Sequence, residues 1–145
     1  MQVPKIHLEQ HCVAQVLIHH LESLPPGQSI ACVTDPGLAL LYEPIIQELR
    51  TNTHEVQLLP LITGEPTFET IEFLIHEIRR SAPTVVIGFG GGSVMDSAKI
   101  ATTFAASLLE PTHLLNNINE CPRRTCALVL IPTLSGTGAE ISAGA

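Results

Sequence analysis

The chain has no tryptophan, only 3% aromatic residues, and half as many Lys and Arg (7) as Asp and Glu (14), which leaves a formal net charge of -7. Both the basic footprint and the stacking platforms of a nucleic-acid-binding protein are missing, so no such partner is expected. No apolar run approaches the roughly 18 residues that span a bilayer, and Met1-Gln2-Val3-Pro4-Lys5-Ile6-His7 lacks the apolar core of a signal peptide. These absences point to a soluble, cytoplasmic protein with no membrane partner. The four cysteines, at 12, 32, 121 and 126, form no Cys-x-x-Cys pair, and Cys32 and Cys126 sit in apolar runs where a thiol acts as a small core residue. The histidines offer no metal set either, since His7 and His11 straddle an element boundary and the neighbours His19 and His20 diverge on a helix.

What remains is 145 residues, 45% of them hydrophobic, enough for one domain with a core of its own. Strand-like and helix-like segments alternate along it. Val3 to His7 reads as an edge strand, because Pro4 argues against a central one. Leu8 to Leu24 carries apolar residues at helical spacing and is ended by Pro25-Pro26-Gly27. Ser29 to Thr34 is a buried strand, and Asp35-Pro36-Gly37 turns it into a helix running to about Arg50, kinked or restarted at Pro44. His54 to Leu59 is a strand. Thr67 caps a helix through Arg80, with Phe68, Ile71, Leu74, Ile75 and Ile78 on one side and Glu69, Glu72, Glu77, Arg79 and Arg80 on its wet side. Thr84 to Gly88 is the next strand, Asp96 to Ala106 a helix, Leu109 to Thr125 a surface loop, and Cys126 to Ile131 another strand, stopped by Pro132. This alternation predicts an α/β fold with a parallel sheet covered by helices. Ala139 to Ala145 stops as a new element begins, as in a truncated or excised domain or a frayed terminus.

Between the strand ending at Gly88 and the helix from Asp96 lies Gly90-Gly91-Gly92-Ser93. Glycines at a strand-to-helix junction let a backbone approach a ligand closely, and the free N–H groups of the helix start favour an anion such as a pyrophosphate. Gly88-Phe89-Gly90-Gly91-Gly92-Ser93 meets the first two glycines of the dinucleotide fingerprint, with Ser in the third position. The acid that the fingerprint places about 20 residues on would be Glu110, in a loop; Asp35, directly after a strand, is better placed to meet a ribose. Ser93-x-x-Asp96 also has the form of a capping box, a role compatible with phosphate binding in the same turn. A second loop of small hydroxyl residues and glycines, Pro132-Thr133-Leu134-Ser135-Gly136-Thr137-Gly138-Ala139-Glu140, again follows a strand. Alone it could be a simple connection; together the two loops suggest one site.

Gly90 to Lys99, followed by Ile131 to Glu140, resembles the N-terminal domain of the iron-containing (group III) alcohol dehydrogenases. Val33-Thr34-Asp35-Pro36-Gly37-Leu38 and Glu65-Pro66-Thr67 fall in the same order at the same intervals, so the resemblance runs from about Pro4 to the last residue. It implies a Rossmann-like, doubly wound, mostly parallel sheet of the dehydroquinate synthase-like type, with residues 1–145 forming an NAD(P)-binding domain. Gly91, Gly92 and Ser93 would hold the cofactor pyrophosphate, with Gly90 and Asp96 also among the cofactor-binding residues; Thr133 and Thr137 would line the path to the nicotinamide; Asp35 would accept the adenine-ribose hydroxyls and repel the extra phosphate of NADP, favouring NAD. The activity implied is hydride transfer between the cofactor and a small alcohol, aldehyde or ketone, with a divalent metal, iron or zinc, as Lewis acid. That metal is held in the family by an Asp and several His of a helical C-terminal domain. This chain therefore carries no metal ligand and no catalytic residue of its own, and is expected to be inactive alone.

Two departures stand out: Glu65-Pro66-Thr67 replaces the Asn-Pro-Thr of many members, and Glu9-Gln10-His11-Cys12 replaces a glycine-rich turn. Glycerol dehydrogenases and dehydroquinate synthases share the fold and the glycine loop, but Ser135 to Glu140 favours the alcohol dehydrogenase branch. A reading of another class is a non-catalytic relic or interaction module, sticky where a second domain would dock. Substrate identity and any homo-oligomer are left open.

Overall fold

Runs such as Ile30-Ala31-Cys32-Val33 and Val85-Val86-Ile87 carry no polar alternation, and the structure shows why: both faces of the sheet they form are covered. The computed structural model describes residues 13–22, 27–52, 54–61, 65–117, 122–133 and 138. Strands β1 (Ser29–Thr34), β2 (Glu55–Pro60), β3 (Val85–Gly90) and β4 (Ala127–Pro132) are all parallel, in the order β2-β1-β3-β4. On one face Ile30, Cys32, Val85, Ile87 and Phe89 pack against Leu17 and Leu21 of helix α1 (Val13–Glu22) and Tyr42, Ile46 and Leu49 of α2 (Ala39–Thr51). On the other, Ala31, Val33 and Val86 meet Ile71, Leu74, Ile75 and Ile78 of α3 (Phe68–Ser81) and Ala98, Ala101 and Phe104 of α4 (Gly92–Ala105). The α/β fold with a parallel sheet is thus the one the chain adopts. Cys32 is a core residue as expected, and burial pushes its thiol up to about 12, which makes it a poor nucleophile.

The strand order fixes where a ligand can sit. The chain leaves β1 for β2 on one side and leaves β3 for β4 on the other, so the connections from the adjacent strands β1 and β3 depart in opposite directions. A crevice opens outside the carboxyl ends of two such strands.

Several boundaries differ from the sequence reading. Val3 to His7 and the start of the first helix lie outside the described residues. After β1 the chain makes a 3-10 turn, Pro36–Leu38, and α2 then runs as one helix through Pro44 instead of restarting there. The bond Pro44 removes belongs to the carbonyl of Leu40, a first-turn residue 92% exposed and open to water. The segment 109–125 is not all loop: Pro111–Asn116 forms a short helix, α5, opened by a proline where the missing N–H is of little consequence. Arg79 is no solvated charge, because its Nη2 donates to the carbonyls of Phe104 (3.2 Å) and Leu109 (2.8 Å) and ties α3 to the end of α4. Glu77 likewise accepts from Gln57 Nε2 at 3.1 Å as well as pairing with Arg80.

Candidate functional site

Asp35 follows β1 in extended backbone (φ -79, ψ 122), and its Oδ1 accepts the N–H of Gly37 at 2.8 Å, capping the 3-10 turn. A Cβ on Gly37 would stand 3.2 Å from that oxygen, so glycine lets the turn close on the carboxylate. With Oδ1 engaged, Oδ2 is the atom left for a further donor. The loops beside it are brought level by two backbone bonds: Leu61 N–H to Thr34 O at 2.8 Å, and Thr133 N–H to Gly90 O at 3.0 Å. Thr34 lies opposite Phe89, and Gly90 opposite Pro132. Asp35, Gly90 and Thr133 therefore leave the sheet together from three adjacent strands about 4.8 Å apart.

Helix α4 begins at Gly92, not at Asp96, and its cap is Gly91, in extended backbone with no side-chain hydrogen bond. The first bond of the helix is Met95 N–H to Gly91 O at 3.1 Å. The N–H groups of Gly92, Ser93 and Val94 thus have no partner within the helix, no acid stands in the first turn, and Ser93 is exposed. The capping box read from Ser93 and Asp96 does not form. Because the helix has already started, the Ser93 carbonyl accepts from the Ser97 hydroxyl at 2.7 Å, and Asp96 pairs with Lys99 at 2.8 Å.

The glycines also have a different reason from the one the sequence suggests. A Cβ on Gly90 would lie 2.8 Å from Val94 Cβ, and one on Gly88 would lie 2.9 Å from Leu130 Cδ2 and 3.0 Å from Ala98 Cβ. What comes close is α4 at both positions, joined at Gly88 by Leu130 of β4, so that α4 lies tightly on β3 and is aimed at the switch-point crevice. Glycine at 91 is not required by backbone strain, since its φ of -76 and ψ of -175 suit any residue. It leaves the helix start without a side chain instead.

Of the residues named from sequence, the structure brings Asp35, Gly90, Gly91, Gly92, Ser93 and Thr133 to one edge of the sheet, with Asp96 one turn further along α4; Thr137 lies outside the described residues. One residue was missed: Thr34 ends β1 with its hydroxyl buried and unpartnered at this edge, which has no signal in sequence. Lys99, already part of the Gly90 to Lys99 motif, holds Asp96 from a side chain only 11% exposed. Among the described residues no three His, Cys, Asp or Glu come together as a metal site, and no helix is long and apolar enough to cross a membrane. The arrangement can offer N–H donors to a phosphate and a carboxylate oxygen to a diol, side by side.

The model of the iron-containing alcohol dehydrogenase family matches residues 4–145. Sulfoacetaldehyde reductase from Bilophila wadsworthia is 34% identical over 118 residues, covering 80% of this chain and 30% of that enzyme. The 1-propanol dehydrogenase of Salmonella typhimurium is 36% identical over 106 residues, 71% of this chain and 25% of the enzyme. The chain thus spans less than a third of the length of either relative. Among solved structures, the sulfoacetaldehyde reductase of Bifidobacterium kashiwanohense in complex with NAD+ superposes with a TM-score of 0.77 at 19% identity, over 98% of this chain and 39% of that one. That likeness is one of fold, while the family match runs over nearly every residue. The chain belongs to the iron-containing alcohol dehydrogenase family.

Proposed function

We propose that this chain is the dinucleotide-binding domain of an NAD-dependent alcohol dehydrogenase that interconverts a small alcohol and its aldehyde or ketone. The observation that carries the reading is the start of α4, open at the β1/β3 switch point beside the unshared oxygen of Asp35. The N–H groups of Gly92 and Ser93, with the Ser93 hydroxyl, bind the diphosphate at the positive end of the helix. Asp35 Oδ2 accepts from the adenine-ribose diol, and the 2′-phosphate of NADP would face the same carboxylate, which favours NAD. Thr133 and Thr137 border the path from the diphosphate toward the nicotinamide. When bound, the nicotinamide supplies the hydride chemistry. The described residues do not assemble a metal site, so none of them would hold the family's Lewis acid. The chain alone is accordingly expected to bind NADH without turning over alcohol.

Titration of NADH, followed by its fluorescence, tests the reading, and a chain that gives no saturable signal overturns it. Asp35→Gly should shift the affinity ratio toward NADPH by roughly tenfold or more, the effect of removing one charge from beside the 2′-phosphate. An unchanged ratio removes Asp35 from the site.

A further inference from the structure

The two outer strands of the sheet differ in how their edges are guarded. β2 begins with the exposed Glu55, gives the Val56 carbonyl to Arg50 Nη2 at 3.2 Å, ties Gln57 to Glu77 and ends on Pro60, which has no N–H to offer. A charge, side-chain bonds and a proline are devices that keep a strand edge from recruiting another chain. β4 has none of them before Pro132. Ala127-Leu128-Val129-Leu130-Ile131 carries no charge, its first four residues are only half-buried, and among the described residues nothing pairs with its outer edge. Leu128 and Leu130 on one face and Ala127 and Val129 on the other lie at the margins of the two cores, so a further strand here would extend both. The edge is also held in shape, because the Ala127 N–H bonds to the Thr84 carbonyl and the Thr133 N–H to the Gly90 carbonyl, each at 3.0 Å.

Just before β4 stand Arg123 and Arg124. Both are exposed, and neither is in an ion pair among the described residues. They are two of only seven basic residues in a chain of net charge -7. That net charge repels an acidic partner at long range, but at physiological ionic strength exposed charges are screened beyond about 8 Å. The arginine pair therefore decides which charge can settle beside the start of β4.

We propose that the outer edge of β4 is a docking site for an extended acidic segment of a partner protein, which adds to the sheet as a strand and sets its carboxylates against Arg123 and Arg124. In this mode of recognition backbone hydrogen bonds along the strand supply the affinity, alternate side chains pack on the core margins, and the rim charges select the partner. The arginines lie at the opposite end of β4 from Thr133, so the proposal does not depend on the cofactor reading.

A fluorescently labelled peptide of alternating Val and Thr, as long as β4 and ended by two Glu, tests it by anisotropy titration against the full chain. Placing the Glu pair at the carboxyl or at the amino end covers antiparallel and parallel addition, and one of the two should bind saturably. Replacing both Glu by Lys should weaken that binding roughly tenfold or more, the effect of two exposed ion pairs turned into repulsions. N-methylation of alternate amides, which removes the donors that strand pairing needs, should abolish it. The variant Arg123→Glu/Arg124→Glu, its folding checked by urea unfolding, should prefer the Lys peptide. The proposal is overturned if neither Glu peptide binds saturably, if the Lys or the N-methylated peptide binds as well as the Glu one, or if the double variant keeps the parent's preference. Should that variant not fold, the peptide series on the parent decides alone. Sedimentation that shows the chain as a dimer which the Glu peptides do not dissociate assigns the edge to a second copy and overturns the proposal as well.

Discussion

Two helices on the same face of the sheet begin in opposite ways. Helix α3 starts with Thr67, whose hydroxyl accepts the Thr70 N–H at 3.3 Å, and has Glu69 in its first turn. Helix α4 starts with Gly91, with no side chain to cap it and no acid in the first turn. Both backbones approach through extended conformations open to any residue, so sterics at the cap do not force the difference. One helix satisfies its orphan donors from its own sequence; the other, pointed at the switch point, leaves them for something else. A capped start is what stability alone selects, and under the proposed function the open one at the crevice is where the cofactor completes the cap.

The strongest way to break the comparison is to give α4 the cap it lacks. Gly91→Asp requires no strained backbone, and an Asp there caps about as well as or a few tenths of a kcal/mol better than glycine. Urea unfolding should therefore show stability unchanged or slightly raised. NADH affinity should fall on the order of 100-fold, because the new carboxylate takes the same N–H groups and sets a charge against the diphosphate. A variant that keeps its affinity would reduce the contrast between the helices to one of capping style.

Gly90→Ala attacks the contact that aims the helix. Its Cβ would stand 2.8 Å from Val94 Cβ, an atom next to the backbone that no rotamer moves aside, so α4 must shift. Overpacking of this kind typically destabilises by about 1–3 kcal/mol. Urea unfolding measures it, and a neutral result would mean that α4 is not held where the close contact puts it.

The same contact explains what could be read in the sequence and what could not. β1 was legible to the residue, because Ile30-Ala31-Cys32-Val33 is apolar throughout and lies between Gly27 and Asp35-Pro36. α3 was legible within a residue at each end, from a capping Thr67 and the spacing of Ile71, Leu74, Ile75 and Ile78. The junction of β3 and α4 was not, since glycine has poor strand and helix propensity and the residues between the strand ending at Gly88 and the helix from Asp96 read as a loop. Strand pairing of Gly90 with Pro132 and the fit of Val94 over it override propensity there, and only the tertiary structure shows them. Arg79 was misjudged for a related reason: helical period shows its neighbours on α3 but not the carbonyls of Phe104 and Leu109 that it reaches. Strand order leaves no local mark either, so the sequence could name Asp35, Gly91 and Thr133 as candidate site residues without saying that they leave three adjacent strands.

The smallest expected effect sharpens the comparison from the other helix. Thr67→Ala removes a cap that α4 never had, and should cost about 1 kcal/mol while leaving NADH affinity untouched. It should also alter the acid side of the stability profile. The carboxyl of Glu69 is held below the usual carboxylate range first by its own backbone N–H and then by the Thr67 hydroxyl. A folded-state value below the unfolded one gives stability that is present above the unfolded value and lost as pH falls through the lowered folded one. Thr67→Ala removes the second of the two causes, so the gap between parent and variant in urea unfolding should be widest above pH ~5 and narrow as Glu69 is protonated. A gap that stays constant down to low pH would leave the cap as a bond from hydroxyl to Thr70 alone, with no share in the charge at the start of α3.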